Sequence, residues 1–89
     1  MPKPSNAPMK VYILTPTSQL YEGEARAVNV PGTQGPFEIL EKHAPIVSSL
    51  GKGIIVLTDQ QGVKHRFSIS KGFVEVLNNE VNVLVRPQE

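Results

Sequence analysis

Residues 73–85 read Phe73-Val74-Glu75-Val76-Leu77-Asn78-Asn79-Glu80-Val81-Asn82-Val83-Leu84-Val85. Side chains along a strand alternate between faces with a period of two. Folded back at Asn78-Asn79, the stretch sets Val76 opposite Val81 and Val74 opposite Val83, with Val85 on the same side. Asn tolerates the positive φ that a type I′ turn needs at both central positions. One face is therefore wholly β-branched and belongs to a core. Phe73, Glu75, Asn82 and Leu84 point the other way, onto a mixed face that is partly wet near the turn.

The preceding stretch reads as a second hairpin. Ile54-Ile55-Val56-Leu57-Thr58 and residues 63–70 flank Asp59-Gln60-Gln61-Gly62. A two-residue loop at Gln61-Gly62 pairs Ile54 with Ile69, Val56 with Phe67 and Asp59 with Lys64. A loop at Gln60-Gln61 would instead pair Ile55 with Arg66 and Val56 with His65. The first register is expected, because it matches apolar with apolar and opposite charges with each other. Further upstream, residues 10–15 form a strand stopped by Pro16, and residues 46–50 one stopped by Gly51-Lys52-Gly53. Residues 21–30 form another, with Arg26, Val28 and Val30 on one face. No stretch keeps a helical period. The expected class is all-β, a flattened antiparallel β-sandwich of two sheets.

The chain has 89 residues, which argues for one domain of residues 9–89. Met1-Pro2-Lys3-Pro4-Ser5-Asn6-Ala7-Pro8 holds three prolines and reads as a disordered tail, with Met9 as an alternative start. At a formal net charge of +1, with charges interspersed, nothing drives the chain toward nucleic acid or an anionic membrane. No apolar run approaches the roughly 20 residues that span a bilayer, so no membrane insertion is expected. Cysteine is absent, which excludes disulfide and thiolate chemistry.

No catalytic, cofactor or metal site emerges. His43 and His65 are too far apart in sequence for a paired metal motif, and a zinc site needs three or four ligands. His65 reads as a rim or hydrogen-bonded strand residue. His43 reads as a loop brace, a partner contact, or both. Glu38 and Glu41 would work as acid and base only inside a cleft, and otherwise are solvated. Neither Gly32-Thr33-Gln34-Gly35 nor Gly51-Lys52-Gly53 has the spacing of a phosphate loop. What remains is a small β-domain that binds other proteins.

Several motifs occur in a fixed order. Thr15-Pro16 comes first, then Tyr21-Glu22-Gly23, then Val30-Pro31-Gly32 with Gly35, then Ile39-Leu40 and His43-Ala44-Pro45. Ile69-Ser70-Lys71-Gly72-Phe73-Val74-Glu75-Val76 follows, and Asn79-Glu80-Val81-Asn82-Val83-Leu84 closes the series. Over residues 9–86 this resembles the N-terminal β-sandwich domain of the epsilon subunit of bacterial F-type (rotary) ATP synthases. The resemblance implies about ten short strands and a non-catalytic rotor subunit without cofactors. It further implies two partners, the gamma subunit and the polar loops of the c-ring, and a peripheral location on the cytoplasmic face of the bacterial inner membrane. Gly32, Gly35, Pro36, Phe37, Glu38, His43, Ala44 and Pro45 are the partner-binding residues it suggests.

Two departures qualify the resemblance. The family usually carries Gly-Glu-Leu-Gly-Ile where this chain has Gly35-Pro36-Phe37-Glu38-Ile39. Pro36 replaces the carboxylate implicated in meeting the c-ring, and Glu38, two residues on and on the same face, is expected to take its place. Many relatives also continue into a C-terminal helical hairpin that inhibits ATP hydrolysis. Arg86-Pro87-Gln88-Glu89 shows no helical segment, so a naturally short form without hairpin inhibition is expected. The competing readings are a β-sandwich adaptor of an unrelated complex and a small hydrolase or isomerase built on Glu38, Glu41 and His43. A rotor subunit should expose an apolar patch on one sheet, whereas an enzyme should gather those side chains in a pocket.

Overall fold

The structure, a computed structural model, describes residues 8–88. Apart from Pro8, the expected N-terminal tail lies outside the described residues. Seven strands follow one another: β1 (Met9–Leu14), β2 (Gln19–Val30), β3 (Phe37–Leu40), β4 (Ile46–Leu50), β5 (Gly53–Asp59), β6 (Lys64–Leu77) and β7 (Glu80–Pro87). The described residues contain no helix, in keeping with the all-β class.

Neighbours run β1-β7-β6-β5-β2, and β1 pairs back onto β2 to close a ring, with β3 added to β2 and β4 to β6. The two long strands serve both layers. Ala25 pairs with Met9 of β1 and with Asp59 of β5, so those strands lie on opposite edges of β2. The first half of β2 runs beside β1, and its second half lies between β5 and β3. Along β6, β5 takes the first half and β4 the second. Seven strands, two of them counted once in each layer, make nine segments, close to the ten expected.

The layers close on a single apolar cluster that includes Met9, Val11, Ile13, Val28, Ile39, Ile55, Leu57 and Ile69. Val74, Val76, Val81, Val83 and Val85 are buried in it, as the valine pattern requires. Their hairpin has the expected pairs, and Asn78 and Asn79 sit at φ 52° and 63°. Branched side chains suit this pleated, enclosed surface because little rotamer freedom is left to lose.

Three expectations need correction. The β5–β6 hairpin takes neither register considered above: Gly53 pairs with Ile69, Ile55 with Phe67 and Leu57 with His65. Its loop has three residues, 60–62. The Asp59 N–H donates to the Val63 carbonyl (2.9 Å) and the Gly62 N–H to the Asp59 carbonyl (3.0 Å). Gly62 takes φ 85°, so the loop is a type I turn followed by a left-handed residue. Asp59 Oδ1 secures it by accepting from the N–H groups of Gln61 and Val63, both at 2.9 Å. Ile55 is consequently buried, and Ile54, expected opposite Ile69, is 51% exposed.

The second correction concerns β2. Its pairing with β5 shifts between Ala25 and Ala27. This bulge turns Ala25 inward together with Val28 and Val30, and leaves Arg26 exposed rather than on their face. The Arg26 guanidinium donates to the Gln60 carbonyl at 2.6 Å, so the bulge also braces the β5–β6 loop. Third, β1 and β7 pair in parallel, from Lys10 opposite Glu80 to Leu14 opposite Leu84. The other ladders are antiparallel.

Candidate functional site

The eight residues singled out by resemblance fall at two ends of β3. Gly32, Gly35, Pro36 and Phe37 are together. The Gly35 N–H donates to the Gly32 carbonyl (3.0 Å), which makes residues 32–35 a tight turn. A Cβ on Gly32 would lie 2.7 Å from the Gly35 carbonyl oxygen and 2.9 Å from the Phe37 ring, so only glycine lets these groups meet. Phe37 packs on the core, while Pro36 and Glu38 are exposed. The turn is tied to the end of β4 by the Thr33 N–H to the Ser49 carbonyl and the Gly51 N–H to the Pro31 carbonyl.

His43, Ala44 and Pro45 lie past the far end of β3, roughly 13 Å of strand away. The His43 ring Nδ1 donates to the Ala44 carbonyl (2.7 Å), and its N–H to the Leu40 carbonyl (3.1 Å). The ring therefore braces its own loop. Lys42 adopts φ 64°, and its N–H donates to Asn79 Oδ1 at 2.8 Å. The tip of the β6–β7 hairpin thus holds this loop in place.

These groups do not assemble a reaction centre. Glu38 faces outward beside Asn29, while Glu41 is bonded to the Gln60 side chain at 3.4 Å. Among the described residues no cluster of three His, Asp or Glu side chains could hold a metal ion. A second polar cluster stands at the β5–β6 hairpin. His65 Nε2 meets Asp59 Oδ2 at 2.9 Å, and the Tyr21 ring lies 5.5 Å from the His65 ring. The hydrogen bond from His65 and those from the loop amides hold the Asp59 carboxyl below the usual carboxylate range. Burial, with Asp59 and Glu24 nearby, pushes the Tyr21 hydroxyl up.

The most distinctive surface is apolar. Across the outer face of β6, β7 and β1, Phe73 stands beside Leu84, and Leu84 beside Leu14. Phe73 is 42% exposed and Leu84 50% exposed. With Pro16 they line a groove of about 400 Å³. Val47 on β4 and Leu20 on β2 are exposed as well. None of Glu38, Glu41 and His43 lines this groove. Sequence reasoning placed Phe73 and Leu84 on the wet face without treating them as a site. The signal was present, since two large apolar side chains opposed on a solvent-facing row are costly to leave uncovered.

The family model of the delta/epsilon chain β-sandwich domain of ATP synthase matches residues 8–89. The chain belongs to this family. It is 40% identical over 76 residues to an ATP synthase epsilon chain of Leptospira interrogans, covering 85% of this chain and 59% of that relative. Against an ATP synthase epsilon chain of Desulforudis audaxviator it is 39% identical, covering 96% of this chain and 64% of the relative. The chain thus spans about three-fifths of the length of these relatives. The fold is that of a chain in the Euglena gracilis mitochondrial ATP synthase, at TM-score 0.84 and 20% identity over 96% of this chain and 58% of that one. A chain of the Tetrahymena thermophila central stalk and c-ring structure matches at TM-score 0.74 and 18% identity, over 88% and 63% of the two chains. As an epsilon-type β-sandwich, the domain matches the N-terminal part of its relatives. Among its described residues no helix is long and apolar enough to cross a membrane.

Proposed function

We propose that the chain is a non-catalytic central-stalk element of a proton-translocating ATP synthase, joining the gamma subunit to the c-ring so that proton flow is coupled to ATP synthesis. The observation that carries this reading is the apolar row of exposed Leu84 and Phe73 with half-buried Leu14 on a domain of this family. Covering the exposed part of each such side chain is worth on the order of 1 kcal/mol, so the row anchors a contact whose remaining affinity comes from the surface around it. The gamma subunit is the proposed occupant of that face. Gly32, Gly35, Pro36, Phe37 and Glu38 at one end of β3, and His43, Ala44 and Pro45 at the other, are the proposed partner-facing loops. Glu38 is proposed to stand in for the family's carboxylate toward the c-ring, because it is exposed and Pro36 carries no charge. On this reading the domain's proposed location in a bacterial cell is peripheral, on the cytoplasmic face of the inner membrane.

Co-purification with a gamma subunit from the same source, followed by ATP hydrolysis by the catalytic head with and without the chain, tests the reading. Stable co-elution without inhibition is expected. A folded chain that fails to bind gamma would favour an adaptor role in another complex. Glu38→Gln should weaken binding to isolated c-ring, and unchanged binding would remove Glu38 from the contact.

A further inference from the structure

The apolar groove lies between unlike charges. Lys71 and Arg86 flank it on one side. An adjoining depression shares Pro16 and Arg86 and adds Lys52. No carboxylate lines either one. Among the described residues the only ion pair is His65–Asp59, so these three cations have no acidic partner. Lys71 and Arg86 are direct cross-strand neighbours, and like charges in that position destabilise a ladder. On the same outer face the other direction is acidic: Glu75 follows Phe73, and Glu22, Glu24 and Glu80 lie beyond, with Lys10 among them. All four of these carboxylates are exposed.

We infer that this groove takes a protein segment with an apolar side chain over Leu14, Phe73 and Leu84 and carboxylates on its Lys71 and Arg86 side. The inference rests on the central-stalk reading and adds what the partner's contact must look like. Carboxylates there relieve the Lys71–Arg86 repulsion, which nothing in the described chain does. The acidic far end repels the same segment turned around, so the charges set the direction of docking as well as its rate. That acidic end also disfavours an anionic membrane or a polyanion, each of which would meet four carboxylates over the same face.

Titration calorimetry of the chain with the gamma subunit from the same source, at low and high salt, tests this. Lys71→Glu with Arg86→Glu should weaken binding about tenfold or more at low salt and flatten the salt dependence. The milder pair Lys71→Gln and Arg86→Gln should do so to a lesser degree, with circular dichroism confirming the fold of both. Leu84→Gln should weaken binding at every salt concentration. If wild type binds gamma and the charge variants bind equally well, the inference fails and the central-stalk reading stands. If wild type does not bind gamma, the reading itself fails. Sedimentation with phosphatidylglycerol vesicles that is lost on charge reversal would overturn the inference in favour of a lipid surface.

Discussion

The hairpins at the two ends of β6 solve the same problem with different residues. At 78–79 the turn is built by two Asn residues whose own backbones accept positive φ, and the valine pattern on both sides agrees with it. At 59–63 the turn is built by one aspartate and one glycine. Asp59 gathers two amides, and Gly62 alone takes the left-handed position. In the first case the turn and the strands point to one register. In the second the strands are ambiguous, because Ile54, Ile55, Val56 and Leu57 are all apolar and fit either face. A side-chain hydrogen bond then decides which isoleucine is buried.

The largest effect that tests this contrast is at the isoleucines themselves. Ile55→Ala should cost about 2–5 kcal/mol, the range for emptying a packed core site. Ile54→Ala, on the exposed face, should stay within about 0.5 kcal/mol. Urea denaturation of both variants reads the difference, and equal losses would mean the register is wrong. Next comes Gly62→Ala. No atom lies within 4 Å of the added Cβ, so the cost is backbone conformation alone, about 1–2 kcal/mol. A melting temperature equal to wild type would show that the loop is not held at that φ.

A smaller, pH-dependent effect is expected at Asp59. Its folded pKa is lowered, so its contribution is present above its unfolded value, near pH 4, and is lost as pH falls through the lowered one. Asp59→Asn should therefore lower the melting temperature at neutral pH, and the gap to wild type should narrow in acid. A gap that does not change with pH would separate the loop from its ionised carboxylate. The smallest effect belongs to Asn78→Gly, which keeps the positive φ and should shift stability by no more than about 0.5 kcal/mol.

Much of the sandwich was legible because its signals were local. The valines of β6 and β7, the Asn pair and the strand stops at Pro16 and Gly51 each depend on a few neighbouring residues. Three things were not local. The bulge that exposes Arg26 arises from pairing with β5 and a bond to Gln60. The parallel seam joins strands at opposite ends of the chain. The apolar groove needs Leu14 to be set beside Leu84, which no spacing in the sequence announces. Among the loop residues suggested by resemblance, the 32–35 turn and the 43–45 segment proved to occupy separate places because β3 stands between them.

The seam between β1 and β7 also bears on how the chain emerges from the ribosome. β1 can find β2 soon after both are made, but its other edge has no partner until the last strand arrives. At roughly 5–20 residues per second that wait lasts several seconds. For that time an apolar strand with free amides and carbonyls is open to pairing with a second nascent copy. Lys10 is the charge that the strand itself presents to solvent. Slowing translation just before β7 should therefore send newly made chain into aggregates while the stability of the finished domain is unchanged.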